Sequence, residues 1–101
     1  MYVSGQGPLD PTTKKTSSTD VGEQTTQTLN NIKAILEAGG ASVADVVKVN
    51  VYLTDMANFG GMNAAYKEFF SAPFPARATV GASLALQGML VEIEAVAYVG
   101  P

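Results

Sequence analysis

The segment VEIEAVA at residues 91–97 has a strict period of two, and this pattern constrains the fold more than any other feature of the sequence. Every second residue from 91 onward is apolar: Val91, Ile93, Ala95, Ala97 and Val99. The residues between them include two acids, Glu92 and Glu94. Because successive side chains of a strand point to opposite faces of its sheet, the pattern predicts a strand over about 90–99 with one core face and one mixed face.

Similar reasoning places the other elements along the chain. Asp20 followed by Glu23 resembles a helix N-cap with a capping box, and Gly39-Gly40 supplies a stop, which predicts a helix over 21–38. The other predicted elements are a strand at 1–5, a loop at 8–19, a strand at 46–53, a helix at 56–70 and a strand at 77–83. We predict an α+β two-layer sandwich, in which a mixed β-sheet carries two helices on one face.

Length and composition indicate how this sandwich is completed. With 101 residues, the chain has room for one domain, which we assign to residues 1–101. Hydrophobic residues make up 47% of the sequence and charged residues only 15%, so we expect some apolar surface to be covered by another copy of the chain.

Strand parity predicts which residues occupy the sheet face opposite the helices. The residues expected to face the helices include Val47, Val49, Val51, Leu53, Ala78, Val80 and Ala82. The residues expected on the open face are Lys48, Asn50, Tyr52, Arg77, Thr79, Glu92 and Glu94. Such a mixture of aromatic, aliphatic and charged groups is typical of a subunit interface with embedded polar sites. We therefore expect other copies of the chain to cover this face.

The residue types that are missing exclude several kinds of chemistry. The sequence has no His and no Cys, so it has no Ser-His-Asp or Cys-His nucleophile and no zinc site of the usual type. We expect no metal and no cofactor. A net charge of −3 and a single Lys14-Lys15 pair argue against nucleic acid as a partner. No apolar run reaches the roughly 20 residues that span a bilayer, and no leader pattern precedes residue 8, so we expect a cytoplasmic protein without a membrane partner.

Three kinds of side chain could carry chemistry. Arg77, the only arginine, lies in the apolar segment PFPARATV and could either grip a carboxylate ligand or form a structural salt bridge to Glu92 or Glu94. Either glutamate could be merely solvated, or could orient and deprotonate a water molecule. Ser4 could supply a polar contact, whereas Asn63 more often caps or bridges backbone groups.

Six segments together resemble the reactive intermediate deaminase A family, also called the YjgF family. They are SGQ at 4–6, Q-x-L-N-N-I-K-A-I-L at 27–36, D-V-V-K-V-N-V-Y-L-T-D-M at 45–56, N-x-x-Y-x-x-F-F at 63–70, P-A-R at 75–77 and V-E-I-E-A-V-A at 91–97. Their order and spacing extend over nearly the whole chain. The resemblance implies a chorismate-mutase-like fold and a homotrimer with ligand clefts at the subunit boundaries.

The resemblance also implies an activity. Family members hydrolyse 2-iminobutanoate and 2-iminopropanoate, reactive products of pyridoxal-phosphate enzymes such as threonine dehydratase, to 2-keto acids and ammonia. Matched by position, Arg77 would bind the substrate carboxylate together with the backbone at Thr79. Glu92 would position the attacking water, and Ser4 would line the cleft.

The chain departs from the family pattern at two places. Members commonly have a further segment before SGQ, with a tyrosine that lines the cleft, and many have Cys where this chain has Thr79. A non-catalytic trimer that binds carboxylates or keto acids is therefore the alternative to an imine deaminase. A nuclease or an inhibitor of translation is disfavoured, because the chain is acidic and has no basic track.

Overall fold

The structure, a computed structural model, describes residues 1–16 and 18–100. Its helices and strands are β1 (Tyr2–Gln6), α1 (Val21–Ala38), β2 (Val46–Leu53), α2 (Phe59–Phe69), β3 (Ala76–Gly81) and β4 (Val91–Ala97). Short 3-10 turns at Val43–Asp45 and Met56–Asn58 precede β2 and α2. The predicted loop at 8–19 contains neither helix nor strand in its described part, with Ser17 outside the described residues.

One mixed sheet joins the four strands in the order β1-β4-β2-β3. β4 runs antiparallel to both β1 and β2, whereas β3 runs parallel to β2. The parallel pair requires a crossover, and α2 provides it. The prediction of an α+β fold with two helices packed on a mixed sheet is confirmed.

The core lies between the helices and one face of the sheet. Buried sheet residues are Val3, Val49, Val51, Leu53, Val91, Ile93, Ala95 and Ala97. Buried helix residues include Leu29, Ile32 and Leu36 of α1 and Met62 and Tyr66 of α2. These residues follow the predicted periods of two and 3.6, because burial against a shared layer selects one face of each element.

Helix α1 has the bounds that its end signals predict. The Asp20 carboxylate accepts a hydrogen bond of 2.9 Å from the backbone N–H of Glu23, as an N-cap does. After Ala38 the chain leaves the helix through Gly40, whose φ of 84° is in the left-handed region that suits glycine.

The parity predicted for β3 is wrong. Arg77 lies in register beside Val49, and Thr79 lies beside Val51. Residues side by side on neighbouring strands point to the same face, so Arg77 and Thr79 belong to the helix-facing side rather than the open side. Ala78 and Val80 occupy the open face instead. The apolar alternate residues of this edge strand lie on its open face, whereas Arg77 and Thr79 lie on the helix-facing side, so alternation alone predicted the wrong side.

Three smaller predictions also need correction. Val47 is 50% exposed rather than in the core, because the β2–β4 register shifts between Val46 and Lys48. Val99 is exposed because β4 ends at Ala97, and Ala82 lies just beyond the end of β3. The remaining open-face residues of β2 and β4 are where parity predicted them to be.

The buried Gln24 side chain connects α1 to two loops. Its amide nitrogen donates to the backbone oxygens of Ser18 and Gly88, each over 2.9 Å. Its amide oxygen accepts from the backbone N–H of Leu90 over 2.8 Å. Gln24 thus satisfies backbone groups both before α1 and before β4, and it holds these two segments together.

We predict that Gln24→Met lowers the free energy of unfolding by about 1–3 kcal/mol, because it leaves three partly buried backbone groups without their side-chain partner while keeping the side-chain volume. Urea denaturation measures the change. Gln27→Met, one turn later, is the matched control: the Gln27 amide is half-buried and donates one side-chain bond, to Asn31. Equal losses in the two variants would contradict the role assigned to Gln24.

Candidate functional site

The Arg77 guanidinium is held at the start of β3 by uncharged groups of α2. Its Nη1 donates to Oδ1 of Asn63 over 2.7 Å. Its Cζ lies 4.5 Å from the ring centroid of Tyr66 and 5.5 Å from that of Phe59. The negative face of an aromatic ring attracts a cation without neutralising it. The positive charge of Arg77 is therefore fixed in place and still available to an anion.

Tyr66 connects this site to the core. Its side chain is buried, and within residues 1–16 and 18–100 its hydroxyl has no hydrogen-bond partner. Burial raises the pKa of Tyr66, and the nearby Arg77 charge partly opposes that rise. The phenol consequently stays neutral around pH 7, and Tyr66 acts on Arg77 through its ring rather than as an anion.

A cavity of about 240 Å³ opens at Arg77. It is lined by Asn63, Tyr66, Lys67, Phe74, Pro75 and Arg77. Sites for drug-sized ligands are larger, about 300–1,000 Å³, so this cavity suits a smaller molecule. With a guanidinium, an amide and aromatic rings in its wall, it has the groups that bind a small organic anion.

Thr79 lies on the same face of β3 as Arg77, two residues further along the strand. The side chain is half-buried, and its hydroxyl oxygen is buried without a hydrogen-bond partner in the described part of the chain. The structure therefore brings Thr79 and Arg77 to one side of the sheet, as the sequence predicts, although that side is the helix-facing one.

The open face of the sheet carries a second polar group, centred on Glu94. One carboxylate oxygen of Glu94 accepts from Nδ2 of Asn50 over 2.9 Å and from the hydroxyl of Tyr52 over 2.8 Å. These two bonds, Asn50 first, lower the pKa of Glu94 against a small opposing effect of burial. The same bond to Glu94 is the main cause that raises the pKa of Tyr52. The antiparallel register explains the cluster, because Asn50 lies opposite Glu94 and Tyr52 opposite Glu92.

Glu92 and Ser4 also lie towards this open side, near the β1 edge. A Cβ atom on Gly5 would collide with the Glu92 carboxylate, so the glycine of the SGQ segment allows the close approach. Ser4 is exposed and lines a cavity of about 400 Å³ together with Tyr2, Lys48, Asn50 and Glu94.

The predicted site residues thus form two separate groups. Arg77 and Thr79 face the helices, whereas Glu92, Glu94 and Ser4 face away from them. β2 also separates β3 from β4, a distance of about 10 Å at the usual strand spacing. The structural salt bridge considered for Arg77 is therefore wrong, since its partners are Asn63, Tyr66 and Phe59.

The contact between Asn63 and Arg77 was not predicted from the sequence. Its amide accepts from Arg77 rather than capping or bridging backbone groups. The one usable signal was the helical spacing of Phe59, Asn63 and Tyr66, which places all three on one face of α2. That signal could not be used without knowing that β3 packs beside this face.

Neither a metal cluster nor a membrane-spanning helix occurs in the described residues. Among the residues that the structure describes, no three acidic, His or Cys side chains gather as a metal site. Within that same part of the chain, neither helix combines the length and the apolar character needed to cross a bilayer.

Comparison with known proteins gives a consistent result. The family described as Endoribonuclease L-PSP matches residues 1–99. A RutC family protein of Pyrococcus horikoshii is 49% identical over 98 residues, which cover 97% of this chain and 78% of that protein. The human 2-iminobutanoate/2-iminopropanoate deaminase is 41% identical over 101 residues, covering 100% of this chain and 74% of the human protein.

Solved structures show the same fold. RidA from an Antarctic Psychrobacter species has a TM-score of 0.91 at 43% identity, covering 97% of this chain and 79% of that one. Escherichia coli TdcF with bound serine has a TM-score of 0.91 at 37% identity, covering 98% of this chain and 80% of that one.

We predict that Asn50→Ala raises the pKa of Glu94 and that Tyr52→Phe raises it less, because each change removes a hydrogen bond to the charged carboxylate. Carbon NMR titration of the Glu94 carboxyl measures the pKa. Tyr2→Phe is the matched control, since it removes a hydroxyl that lines the same cavity without bonding to Glu94. An unchanged Glu94 pKa in Asn50→Ala would contradict the assignment of the shift to this hydrogen bond.

Proposed function

The chain belongs to the Endoribonuclease L-PSP family, and from this premise we propose that it hydrolyses 2-imino acids to 2-keto acids and ammonia. The fixed Arg77 guanidinium at the mouth of a small cavity is the observation that carries the proposal. Relatives from human and from the mite Dermatophagoides farinae are named 2-iminobutanoate/2-iminopropanoate deaminase.

The proposed reaction needs little from the protein. The Arg77 guanidinium pairs with the substrate carboxylate through parallel hydrogen bonds and so fixes the adjacent C=N carbon. A water oxygen adds to that carbon while Glu92 accepts one water proton and passes it to the imine nitrogen, which gives a carbinolamine. Glu92 then transfers the carbinolamine hydroxyl proton to the same nitrogen as the C–N bond breaks, so that ammonia leaves and the C=O group of the 2-keto acid forms. Since an imine carbon is already electrophilic, positioning and proton transfer suffice.

The two groups must come from different copies of the chain. Within one chain Arg77 and Glu92 lie on opposite faces of the sheet, so they cannot both contact one small molecule. In a closed homotrimer, Arg77 of one subunit and Glu92 of the next can line a shared cleft. Ser4 lies on the same side of the sheet as Glu92, and Thr79 lies on the same side as Arg77. Ser4 would therefore enter the cleft from the subunit that supplies Glu92, and Thr79 from the subunit that supplies Arg77.

Exposed apolar groups on the open face support this assembly. Tyr2 is 86% exposed and Val80 is 48% exposed, although both belong to strands of the sheet. Apolar side chains exposed at both edges of one sheet face are what a surface covered by a partner would present.

The second candidate is a trimer that binds carboxylates or keto acids without catalysis. One observation favours it: the Arg77 guanidinium is held in place by Asn63, Tyr66 and Phe59, without any contact to Glu92. The two candidates differ in the role of Glu92: the deaminase needs it for turnover, whereas the binding protein binds its ligand without it.

Threonine dehydratase coupled to the protein, in a buffer without amines, measures the release of 2-ketobutyrate. We expect Arg77→Ala to lower kcat/KM by about 100-fold or more, because a bidentate ionic contact is lost. Glu92→Gln should lower kcat by about 100-fold or more through loss of the proton acceptor. Keto-acid binding that needs Arg77, without any acceleration by the wild type, would establish the binding protein instead.

Subunit complementation tests the shared cleft. Arg77→Ala and Glu92→Gln copies with different tags are co-expressed, and oligomers that contain both are purified over both tags. We expect activity at about one third of the sites, because a closed trimer with both kinds of copy has one neighbouring pair that supplies an intact Arg77 and an intact Glu92. Oligomers of two differently tagged Arg77→Ala copies are the control and stay inactive. Failure of the mixed oligomers to recover activity contradicts the cleft between copies.

The assembly itself can be disrupted at Val80. We expect Val80→Asp to convert the trimer to monomer, because an unpaired carboxylate would be buried at the interface. Sedimentation velocity measures the mass. Leu86→Asp is the matched control, since Leu86 is 50% exposed but lies in the loop before β4. Equal sedimentation of wild type and Val80→Asp would refute the covered face.

A further inference from the structure

A second positively charged side chain lines the cavity at Arg77. Lys67 lines it together with Arg77, and no carboxylate is among its described lining residues. Two positive groups in a space of about 240 Å³ repel each other unless an anion lies between them. The charge of this cavity therefore exceeds what one carboxylate can neutralise.

The partners of Arg77 do not reduce that charge. In the described chain the guanidinium donates to the neutral Asn63 amide. This bond uses one of the five N–H groups of Arg77. The rings of Tyr66 and Phe59 complete its surroundings. The remaining N–H groups suit the carboxylate that the proposed reaction requires, and Lys67 is left for another group of the ligand.

The position of Lys67 is suited to a contact with a second group of the ligand. It follows Asn63 by four residues on α2, so both side chains project from the same face of the helix, one turn apart. Asn63 fixes Arg77, whereas Lys67 is exposed at the rim, in the last turn of the helix. The aromatic rings of Tyr66 and Phe74 complete an apolar wall suited to a short carbon chain.

We infer that Lys67 is a specificity-determining residue that makes the site prefer 2-imino dicarboxylates. Arg77 would hold the carboxylate next to the C=N carbon, and Lys67 would pair with the carboxylate at the other end of the side chain. The inference rests on the proposed function, and it names the substrate class of the same site. The small cavity favours a diacid with a short chain over a larger phosphorylated acid.

The experiment compares two imines that differ in the second carboxylate. Amino-acid oxidases generate 2-iminoglutarate and 2-iminobutanoate in situ, with catalase present to remove peroxide. The rate of release of the 2-keto acid gives kcat/KM. We expect Lys67→Gln to lower kcat/KM for 2-iminoglutarate about fivefold, the effect of one partly exposed ion pair, with 2-iminobutanoate unchanged within about twofold. Lys67→Arg should restore the preference for the diacid.

Lys33→Gln is the matched control, because it removes an exposed lysine of α1 and the same net charge at a position outside the cavity. It should leave the ratio of the two kcat/KM values unchanged. An equal effect of Lys67→Gln on both imines, or no effect on either, overturns the inference.

A binding measurement separates this inference from the proposed function. If the wild type accelerates neither imine, the proposed function fails, and calorimetry with 2-oxoglutarate and 2-ketobutyrate decides the inference alone. Tighter binding of 2-oxoglutarate that is lost in Lys67→Gln supports it. Equal affinities, or no binding, overturn it. Displacement of 2-oxoglutarate by a lower concentration of inorganic phosphate also overturns the assignment of a second carboxylate.

Discussion

The parallel pairing of β3 with β2 is the constraint on which the proposed site depends. This register sets Arg77 beside Val49 and so directs the only arginine towards the helices. The opposite parity would place the guanidinium on the open face, which also carries the carboxylates of Glu92 and Glu94. With the observed parity, the guanidinium contacts the Asn63 amide and two aromatic rings. The side of the sheet that Arg77 occupies thus decides whether its charge is available to a ligand.

Uncharged partners hold the Arg77 guanidinium in place and leave its positive charge available to an anion. A carboxylate partner would hold Arg77 equally well, but a substrate carboxylate would then have to displace it. Asn63 occupies one N–H group, and the negative face of the Tyr66 ring attracts the guanidinium. Since Tyr66 is itself buried in the core, the position of the guanidinium depends on the packing of α2 against the sheet. Under the proposed function, core stability and ligand binding are therefore linked through this one side chain.

The sequence predicted most of the fold, and the reason lies in the particular elements. Helix α1 has a cap at Asp20 and glycines at its end, and every second residue of β4 from Val91 is apolar, so both could be located from local signals. β3 offered no such signal, because Ala78 and Val80 resemble core residues although they lie on the open face. The side that an edge strand presents to the helices depends on its pairing partner, and that information is not local. The same limit applies to Asn63, whose contact with Arg77 connects two elements through tertiary packing.

The separation of acidic and basic groups explains why a single chain is an incomplete catalyst under the proposed mechanism. Glu92 and Glu94 share a strand and face, yet the structure gives them different surroundings. Asn50 and Tyr52 favour the charged form of the Glu94 carboxylate, and both donate to the same carboxylate oxygen, Oε1. Glu92 instead packs closely against Gly5 of β1, and within the described residues its carboxylate accepts no side-chain hydrogen bond. A carboxylate that must receive a proton from water needs such uncommitted lone pairs. Of the two acids, Glu92 is therefore the one that an approaching second subunit can use.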